Sequence, residues 1–482
     1  MARRRVAIIF DGSRGDSEPF CVAGSALLQA GFEVMMAGPA DFEEMVLSSG
    51  IKKFVPFQKS AVETHTTDAA RKAFTDNSLL GIVQSIGEAK DEYFSTGLRL
   101  LKEAMETWKP DLSLISHAAF GECYPLCKAL KAPCLLIVPG ILVLSSYTNL
   151  EGLWPKFPSW TGINFLMWKL FFKLVSKEQR KIKRKVFVEV IDADFESYWP
   201  HYREVFNRWS GPDARFPVLL AGSVVLGNSL PPDANSNFRP LGPLMMPPKD
   251  QTGVAFGGPE LPQMEAFLSA GPAPVYFGFG SITCKSPKYM TLLCLRALMR
   301  AGQRGVMLKG WAGMSADDVA GEKDEVELTK YIKEKVLFMT NAPHGQLFPR
   351  CQVIVHHGGA GTLNSSVRSG KPTIVLPIML DQFQYSDLVN KHGVGVGLKA
   401  MAKTSPTTLA QAILACMTSE SIKSKAATMA QDLLKEDGPA RLVEEVSKFF
   451  DEVLVPGRYE SMQQQSIEEL SKSKVTCLPC AS

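Results

Sequence analysis

The segment 356–362 reads His-His-Gly-Gly-Ala-Gly-Thr, which places two imidazoles at the start of a turn with almost no side chains. It follows the apolar run 353–355, a predicted buried strand, and leads into a predicted helix. Bare backbone N–H groups and the positive end of a helix can approach a phosphate group closely. The segment therefore predicts an anion-binding site.

A second polar pair follows the next predicted strand, 373–376. Asp381 and Gln382 supply a carboxylate and an amide, and both groups form hydrogen bonds with sugar hydroxyls. Ligands of open parallel sheets bind outside the carboxyl ends of the strands, so we expect this pair to lie near the anion site. A phosphate site beside a hydroxyl site predicts a nucleotide-sugar ligand.

A third polar turn, 11–16, follows the first predicted strand, 6–10, and carries a carboxylate at each end. Asp16 has two interpretations. It can cap the helix predicted to begin near Ser17, which stabilises such a helix by about 1 kcal/mol. It can equally accept a proton from a substrate hydroxyl in a cleft at the strand end.

The size and composition of the chain restrict its class. Its 482 residues exceed what one hydrophobic core serves, which predicts two domains of roughly 200 residues each. A net charge of +4 indicates no nucleic-acid partner. We expect neither a membrane-spanning segment nor a cleaved signal, and ten scattered cysteines favour reduced thiols in a cytoplasmic protein.

Short apolar runs alternate with helix-length amphipathic stretches in two series, which is typical of parallel sheets covered by helices on both faces. The fold class predicted is therefore α/β, with two doubly wound, Rossmann-like domains that face one another across a cleft. The predicted strands are 6–10, 34–37, 112–115, 134–138, 218–220 and 224–226, then 275–279, 305–308, 336–339, 353–355 and 373–376.

Prolines and glycines crowd the region from 240 to 274, which predicts an interdomain linker without regular structure. The predicted boundaries are 1–245 for the first domain, 246–273 for the linker, 274–436 for the second domain, and 437–482 for a C-terminal helix and polar tail. Residues after about 460 are expected to be loosely held. Cys477 and Cys480 lie in that tail.

Several motifs occur in order along the chain: Gly12-Ser-Arg-Gly-Asp16, Val275-Tyr-Phe-Gly-Phe-Gly-Ser281, Lys309-Gly-Trp311, Asn341-Ala-Pro-His344, and 356–362 followed by Asp381-Gln382. The set resembles the sterol 3-beta-glucosyltransferase branch of the family 1 UDP-glycosyltransferases. It is also similar to bacterial enzymes that glycosylate glycopeptide antibiotics. The resemblance implies the glycosyltransferase type B fold, with an N-terminal acceptor domain and a C-terminal donor domain.

The resemblance implies roles for individual residues. Asp16 becomes the general base and His357 the diphosphate ligand that assists catalysis. Asp381 and Gln382 hold the hexose. The further donor-binding residues implied are Gly12, Ser13, Gly280, Ser281, Trp311, Ala342, Gly359, Ala360, Gly361 and Thr362.

Some of these positions have alternatives. Trp311 can stack on the uracil, line the acceptor passage or simply pack in the core. His356 is interpreted as a structural residue. Ser365 stands where plant relatives carry a glutamate for the ribose, so the ribose contacts remain open.

A long amphipathic helix is predicted over 163–190, with Lys169, Lys173 and Lys177 recurring every four residues. One interpretation is a helix packed on its own domain with a solvated lysine stripe. The other is a flap that shelters an apolar acceptor or rests on anionic lipid. The acceptor candidates in and before this helix are Trp154, Trp160, Phe165 and Trp168.

The combined expectation is an inverting enzyme that moves a hexose, in the first instance glucose, from a UDP-sugar to a hydroxyl of a lipophilic acceptor such as a sterol. The UDP-sugar is a co-substrate, and we expect no cofactor and no metal. Asp192 and Asp194 are accordingly interpreted as surface residues. A polyketide or phenolic acceptor, a silent lipid-binding module and a nucleotide-sugar epimerase are the alternatives, and peripheral contact with a membrane is a further option.

Overall fold

The protein is described by a computed structural model over residues 4–76, 78–140, 143–148, 154–191, 194–210, 215–227, 230–234 and 236–472. This part of the chain contains a seven-stranded and a six-stranded sheet, both parallel. Helices cover both faces of each sheet. The predicted α/β fold with two doubly wound domains is confirmed.

The N-terminal sheet has the strand order β3-β2-β1-β4-β5-β6-β7. Its strands are β1 (Arg5–Ile9), β2 (Glu33–Pro39), β3 (Phe54–Gln58), β4 (Leu112–Ser116), β5 (Cys134–Val138), β6 (Val218–Leu220) and β7 (Phe238–Pro240). Its helices are α1 (Arg14–Gln29), α2 (Glu43–Ser48), α3 (Ala61–His65), α4 (Asp68–Thr75), α5 (Leu79–Trp108), α6 (Phe120–Ala129), α7 (Ile163–Ile191), α8 (Phe195–Tyr198), α9 (Tyr202–Ser210) and α10 (Val224–Gly227).

The C-terminal sheet has the order β10-β9-β8-β11-β12-β13. Its strands are β8 (Val275–Gly278), β9 (Gly305–Leu308), β10 (Val336–Met339), β11 (Val353–His356), β12 (Thr373–Val375) and β13 (Gly395–Gly397). The helices are α11 (Leu261–Ser269), α12 (Pro287–Arg300), α13 (Glu325–Lys335), α14 (His344–Leu347), α15 (Ala360–Arg368), α16 (Gln382–His392), α17 (Pro406–Thr418), α18 (Glu420–Leu433), α19 (Gly438–Phe449) and α20 (Tyr459–Lys472).

The first strand shows why its sheet is buried on both sides. Val6 and Ile8 point into one hydrophobic cluster, whereas Ala7 and Ile9 point into the other, because successive side chains of a strand face opposite ways. A strand covered on both faces is apolar along its whole length. This continuous apolar pattern made β1 visible in the sequence.

The run 224–226, predicted as a strand, is instead part of helix α10. The Glu436 carboxylate accepts hydrogen bonds from Val224 N at 2.9 Å and Val225 N at 3.2 Å, and Ser223 Oγ accepts one from Leu226 N. These N–H groups are therefore bound as a helix N-terminus. The prediction was wrong because its deciding partner lies more than 200 residues away.

The region 246–273 also differs from its prediction, since it contains the helix α11. Pro262 lies in the first turn of that helix, where a backbone N–H needs no helical partner. The prolines that predicted irregular structure are compatible with a helix start.

The chain end is held more firmly than expected. Residues 461–472 belong to α20, and Arg215 binds Glu469 of this helix at 2.7 Å. The buried Tyr459 hydroxyl, at the start of this helix, accepts a hydrogen bond from Cys134 N at 3.0 Å. The C-terminal helices α19 and α20 thus return to pack on the N-terminal domain.

No helix in the described ranges is both long and apolar enough to span a bilayer. The eight described cysteines are free and buried, as the scattered pattern predicted. Cys477 and Cys480 lie outside the described residues.

Candidate active site

The loop between β1 and α1 holds Asp16 in the first turn of the helix. Asp16 Oδ2 accepts hydrogen bonds from Ser13 N at 2.9 Å and from Ser13 Oγ at 3.0 Å, so the carboxylate caps α1. Gly12 has a φ of 114°, and a Cβ there would lie 2.6 Å from Asp16 Oδ2. The capping interpretation is confirmed, and α1 begins at Arg14, three residues earlier than predicted.

Capping does not prevent Asp16 from acting on a substrate. Both of the bonds from Ser13 go to the same oxygen, Oδ2, and the residue is only half-buried. A carboxylate has four lone-pair sites, so one capped oxygen leaves room for a further hydrogen bond.

His117 lies beside this loop, and sequence reasoning missed it. It directly follows β4, whose Ile115 pairs with Ile9 of β1, and Asp11 N donates to Ser116 Oγ at 3.3 Å. Burial lowers the pKa of His117, while the negative charges of Asp16 and Asp11 raise it in part. A histidine just after a predicted strand was the signal that could have found it.

The immediate surroundings of the His117 ring are apolar on one side. Its Nδ1 is enclosed and has no hydrogen-bond partner in the described part of the chain. The ring meets Trp209 edge-on, with the ring centroids 6.3 Å apart. A buried polar atom of this kind costs free energy unless a ligand satisfies it.

In the C-terminal domain, the loop after β8 packs against His357. Gly280 has a φ of +60°, and a Cβ there would lie 3.2 Å from His357 Cε1. Trp311 N donates to the Gly280 carbonyl at 3.0 Å. Gly280 therefore brings the β8 loop, with its neighbour Ser281, up to the imidazole.

His356 has a structural role, as predicted. Its Nδ1 accepts a hydrogen bond from Gly358 N at 3.0 Å, which requires the neutral ring to donate from Nε2 to Thr373 Oγ1 at 3.0 Å. Full burial holds the pKa of His356 well below its usual range. The ring thus shapes the turn that presents His357.

His357 is also buried, and it directly precedes the glycines of the turn. Burial lowers its pKa to about 4, opposed in part by the Gly278 carbonyl, so the ring is neutral at pH 7. Its Nδ1 forms no hydrogen bond of ordinary geometry with any described residue. A Cβ at Gly359 would lie 2.6 Å from His357 Nε2, so only glycine fits against the ring.

Gly359 is also the N-cap of α15, and Ala360, Gly361 and Thr362 form the first turn of that helix. The first N–H groups of a helix have no intrahelical acceptor, and the helix dipole adds partial positive charge there. The predicted anion site therefore lies at a true helix N-terminus beside a neutral imidazole.

Gln382 and Asp381 lie at the start of α16. Gln382 is buried, and its Oε1 accepts hydrogen bonds from Ile378 N at 2.8 Å and Met379 N at 3.0 Å. That oxygen is engaged in holding its own loop, so a sugar hydroxyl would be bound through the Nε2 group.

Asp381 lies close enough to Asp16 of the other domain for the two charges to interact. Surrounding protein and the Asp16 charge raise the pKa of Asp381 to about 7. The side chain nevertheless remains exposed to solvent, which screens such effects, and we expect the full rise only when ligand or closure displaces water. The cleft thus brings together carboxylates from both domains.

Direct contacts fix the two domains around this cleft. Arg14 in the first turn of α1 donates to Asn341 Oδ1 at 3.3 Å and to the Ala255 carbonyl, and its guanidinium lies over the Phe256 ring. Asn341 precedes Ala342, the buried residue implied at the uracil edge. The first and fourth motifs are therefore neighbours in space.

The indole of Trp311 packs at the same domain junction. It adjoins the hydrophobic cluster of the N-terminal domain, and its ring centroid lies 5.8 Å from that of His65. These contacts support the packing interpretation, and a donor contact stays a prediction.

The acceptor candidates divide into two groups. Trp154 and Trp168 are buried edge to face, with centroids 5.1 Å apart, and Trp168 Nε1 donates to the Thr148 carbonyl at 3.0 Å. Phe165 borders the same aromatic cluster beneath α7, whereas Trp160 stands outside it and is 87% exposed. Because both indoles are buried, Trp154 and Trp168 support the residues around them and do not offer an exposed surface to an acceptor.

Asp194 is an exposed N-cap whose side chain accepts a hydrogen bond from Glu196 N at 3.2 Å, which agrees with its interpretation as a surface residue. Asp192 lies outside the described residues.

Comparison with known proteins supports the resemblance seen in the motifs. Residues 314–449 match the family described as "Erythromycin biosynthesis protein CIII-like, C-terminal domain". The chain is 26% identical over 456 residues to a sterol 3-beta-glucosyltransferase of Arabidopsis thaliana, covering 91% of this chain and 64% of that protein. It is 27% identical over 447 residues to the Saccharomyces cerevisiae sterol 3-beta-glucosyltransferase, covering 89% and 33% respectively. The chain thus spans less than two thirds of both relatives.

Solved structures confirm the fold. The glycosyltransferase of kitacinnamycin superimposes with a TM-score of 0.61 at 16% identity, covering 93% of this chain and 99% of that one. Spinosyn forosaminyltransferase gives a TM-score of 0.61 at 18% identity, covering 94% and 100%. The protein therefore has the glycosyltransferase type B fold and resembles the sterol glucosyltransferases in sequence.

Proposed function

We propose that the protein is an inverting glycosyltransferase that moves a hexose, first of all glucose, from a UDP-sugar to a hydroxyl of an apolar acceptor. The observation that carries the proposal is that α1, which begins at the Asp16 loop, contacts α15, which begins at the glycine-rich turn, with Asp16 close enough to Asp381 to raise its pKa. A proton acceptor and a diphosphate cradle then flank the same cleft.

In the proposed reaction, Asp16 takes the proton of the acceptor hydroxyl. The acceptor oxygen attacks the anomeric carbon from the face opposite UDP, the bond to the diphosphate oxygen breaks, and an α-linked donor yields a β-glycoside. Neutral His357 and the N–H groups at the start of α15 donate hydrogen bonds to the departing diphosphate.

Asp381 and Gln382 hold the hexose in this scheme. Sugar hydroxyls can donate hydrogen bonds to the Asp381 carboxylate and accept one from the Gln382 Nε2 group.

A sterol is the acceptor proposed first, because the sterol glucosyltransferases of Arabidopsis and yeast resemble this chain over about nine tenths of its length. A polyketide or other natural product is the second candidate, since the structural neighbours include glycosyltransferases of calicheamicin and spinosyn.

Two measurements test the proposal. Calorimetric titration with UDP should show saturable binding, and absence of binding to folded protein would refute the donor site. Radiolabelled UDP-glucose should then transfer label to an organic-extractable product with a panel of sterols, phenolics and macrolides. UDP binding without transfer to any acceptor indicates a silent module, and free epimer without acceptor indicates an epimerase.

A further inference from the structure

The outward face of α7 carries a stripe of exposed aliphatic side chains. Ile163, Leu166, Leu170 and Leu174 recur every three or four residues, so they lie on one side of the helix. They are between 36% and 63% exposed, and Trp160, just before the helix, is 87% exposed. We call these five residues the apolar stripe.

The stripe is not needed for packing α7 on its own domain. The opposite face of the helix buries Trp168 and Phe172 in the aromatic cluster, and further along it buries Phe187. The first half of α7 therefore carries two apolar faces. One is buried in the domain core, and the other is the exposed apolar stripe. Exposed apolar surface of this kind marks an interaction site.

Basic residues border and continue the stripe. Lys169 and Lys173 flank it along one side, and Lys177, Lys181 and Lys185 extend the same face toward the helix C-terminus, all of them exposed. The acidic groups nearby are paired, Glu178 with Lys181 at 3.9 Å and Glu196 with Arg180 and Arg184. The face as a whole is apolar at one end and cationic at the other.

The stripe is linked to the acceptor side of the cleft. Phe172, beneath the stripe, lies 5.5 Å from Trp209 between ring centroids, and Trp209 meets His117 at the end of β4. A Cβ at Gly121, in the first turn of α6, would lie 2.6 Å from Gln179 of α7. One aromatic layer thus separates the outer face of α7 from the polar loops of the N-terminal domain.

We propose that the apolar stripe and its lysine border dock the protein on the surface of an anionic lipid bilayer. The helical part of the stripe, from Ile163 to Leu174, is about 17 Å long at the helical rise of about 1.5 Å per residue, so the stripe lies in the plane of the interface and does not cross it. Leucine and tryptophan side chains enter the boundary between headgroups and acyl chains. The lysines meet anionic headgroups, and their aliphatic stems extend the apolar contact.

Charge distinguishes a bilayer from a second copy of the chain. Symmetric pairing through the stripe would bring the flanking lysines of both copies together, whereas an anionic surface neutralises them. Docking requires neither donor nor acceptor, so it goes beyond the proposed transfer reaction and is tested apart from it.

The test is flotation of the full chain with vesicles of phosphatidylcholine alone or mixed with phosphatidylserine. The native protein should float with the anionic vesicles, and added salt should weaken binding. The double variant Leu170→Glu/Leu174→Glu should lose about 10-fold or more of its partitioning, and so should Lys173→Glu/Lys177→Glu. Val326→Glu is the matched control, because Val326 is 85% exposed on α13, and it should float as the native protein does.

Several outcomes would overturn the proposal. These are no preference of the native protein for anionic vesicles, equal flotation of the stripe variants, or a native dimer that the stripe variants convert to monomers. Both double variants should bind UDP as the native protein does, which shows that they are folded. Loss of docking with intact UDP binding separates this proposal from the proposed function.

Discussion

The two domains place their polar loops at equivalent positions, but the side chains in those loops differ in their chemistry. In each sheet the cleft loops follow the two central neighbouring strands, β1 and β4 in one domain and β8 and β11 in the other. The loop after β4 carries His117 and the loop after β11 carries His357. Within the described chain, each ring has an enclosed Nδ1 without a hydrogen-bond partner.

The partners of the two histidines differ. His117 lies close enough to the carboxylates of Asp16 and Asp11 for their charges to raise its pKa, whereas His357 packs between Gly280 and Gly359. A carboxylate environment suits the transfer of a proton, and a bare backbone environment suits the binding of an anion. The same topology thus supplies two halves of the site. The acid–base half contains Asp16 and His117, the anion half contains His357 and the glycine-rich turn, and the two halves differ in their side chains.

The largest effect is expected from Asp16→Asn, which removes the proton acceptor and should lower turnover by about 100-fold or more while UDP affinity stays unchanged. Calorimetry and initial rates measure the two properties separately. Near-native turnover would exclude Asp16 as the proton acceptor and leave it only the role of capping α1.

Asp318→Asn is the matched control for the lost cap. Asp318 occupies the same capping-box position, accepting a hydrogen bond from Ser315 N at 2.9 Å, and it also binds Thr291 of α12. The control should lose about 1 kcal/mol of stability and keep its turnover. A similar drop in turnover in both variants would attribute the Asp16 effect to stability.

His357→Ala should remove a buried hydrogen-bond donor to the diphosphate. We therefore expect kcat/KM for the UDP-sugar to fall by about 10-fold to 100-fold and the affinity for UDP to decrease. Donor saturation curves and calorimetry measure this. Curves that overlay those of the native protein would exclude His357 from the donor site.

His117→Gln should have a smaller effect on the acid–base half, a fall in kcat of about 10-fold with unchanged UDP affinity. The acid limb of the pH–rate profile should also move, because a histidine whose pKa is held below its usual range is removed from the catalytic loops. An unchanged profile together with a lower melting temperature would make His117 purely structural.

The smallest effects concern stability and pH. Burial lowers the pKa of His344 to about 3 and of His357 to about 4, and it holds that of His356 well below its usual range. The unfolded chain therefore binds more protons below pH 6.5, so the free energy of unfolding should fall as the pH drops from about 6.5 toward 4. Thermal melts at pH 7.5 and 5 should show this loss, and the variant His357→Gln should show a shallower pH dependence. An equal pH dependence of stability in the native protein and in His357→Gln would contradict the low pKa assigned to His357.

The central strands were predictable, whereas three of the four edge strands were not and only the edge strand β10 was predicted. The predicted series omitted β3, β7 and β13, which all lie at sheet edges. The strand β3 contains Pro56, β7 ends in Pro240, and β13 reads Gly-Val-Gly, all of which an edge tolerates because one side of it needs no pairing. Their residues therefore lack the continuous apolar pattern of β1 or β11.

Local chemistry alone dictated the glycine-rich turn, the capping role of Asp16 and the buried central strands, because each depends on residues a few positions apart. Folding of distant segments decided the rest. The proximity of Asp16 and Asp381, the carboxylate neighbours of His117 and the carboxylate cap on α10 each join residues far apart in the chain. Helical periodicity likewise showed that α7 is amphipathic, but only packing decides which of two apolar faces reaches solvent.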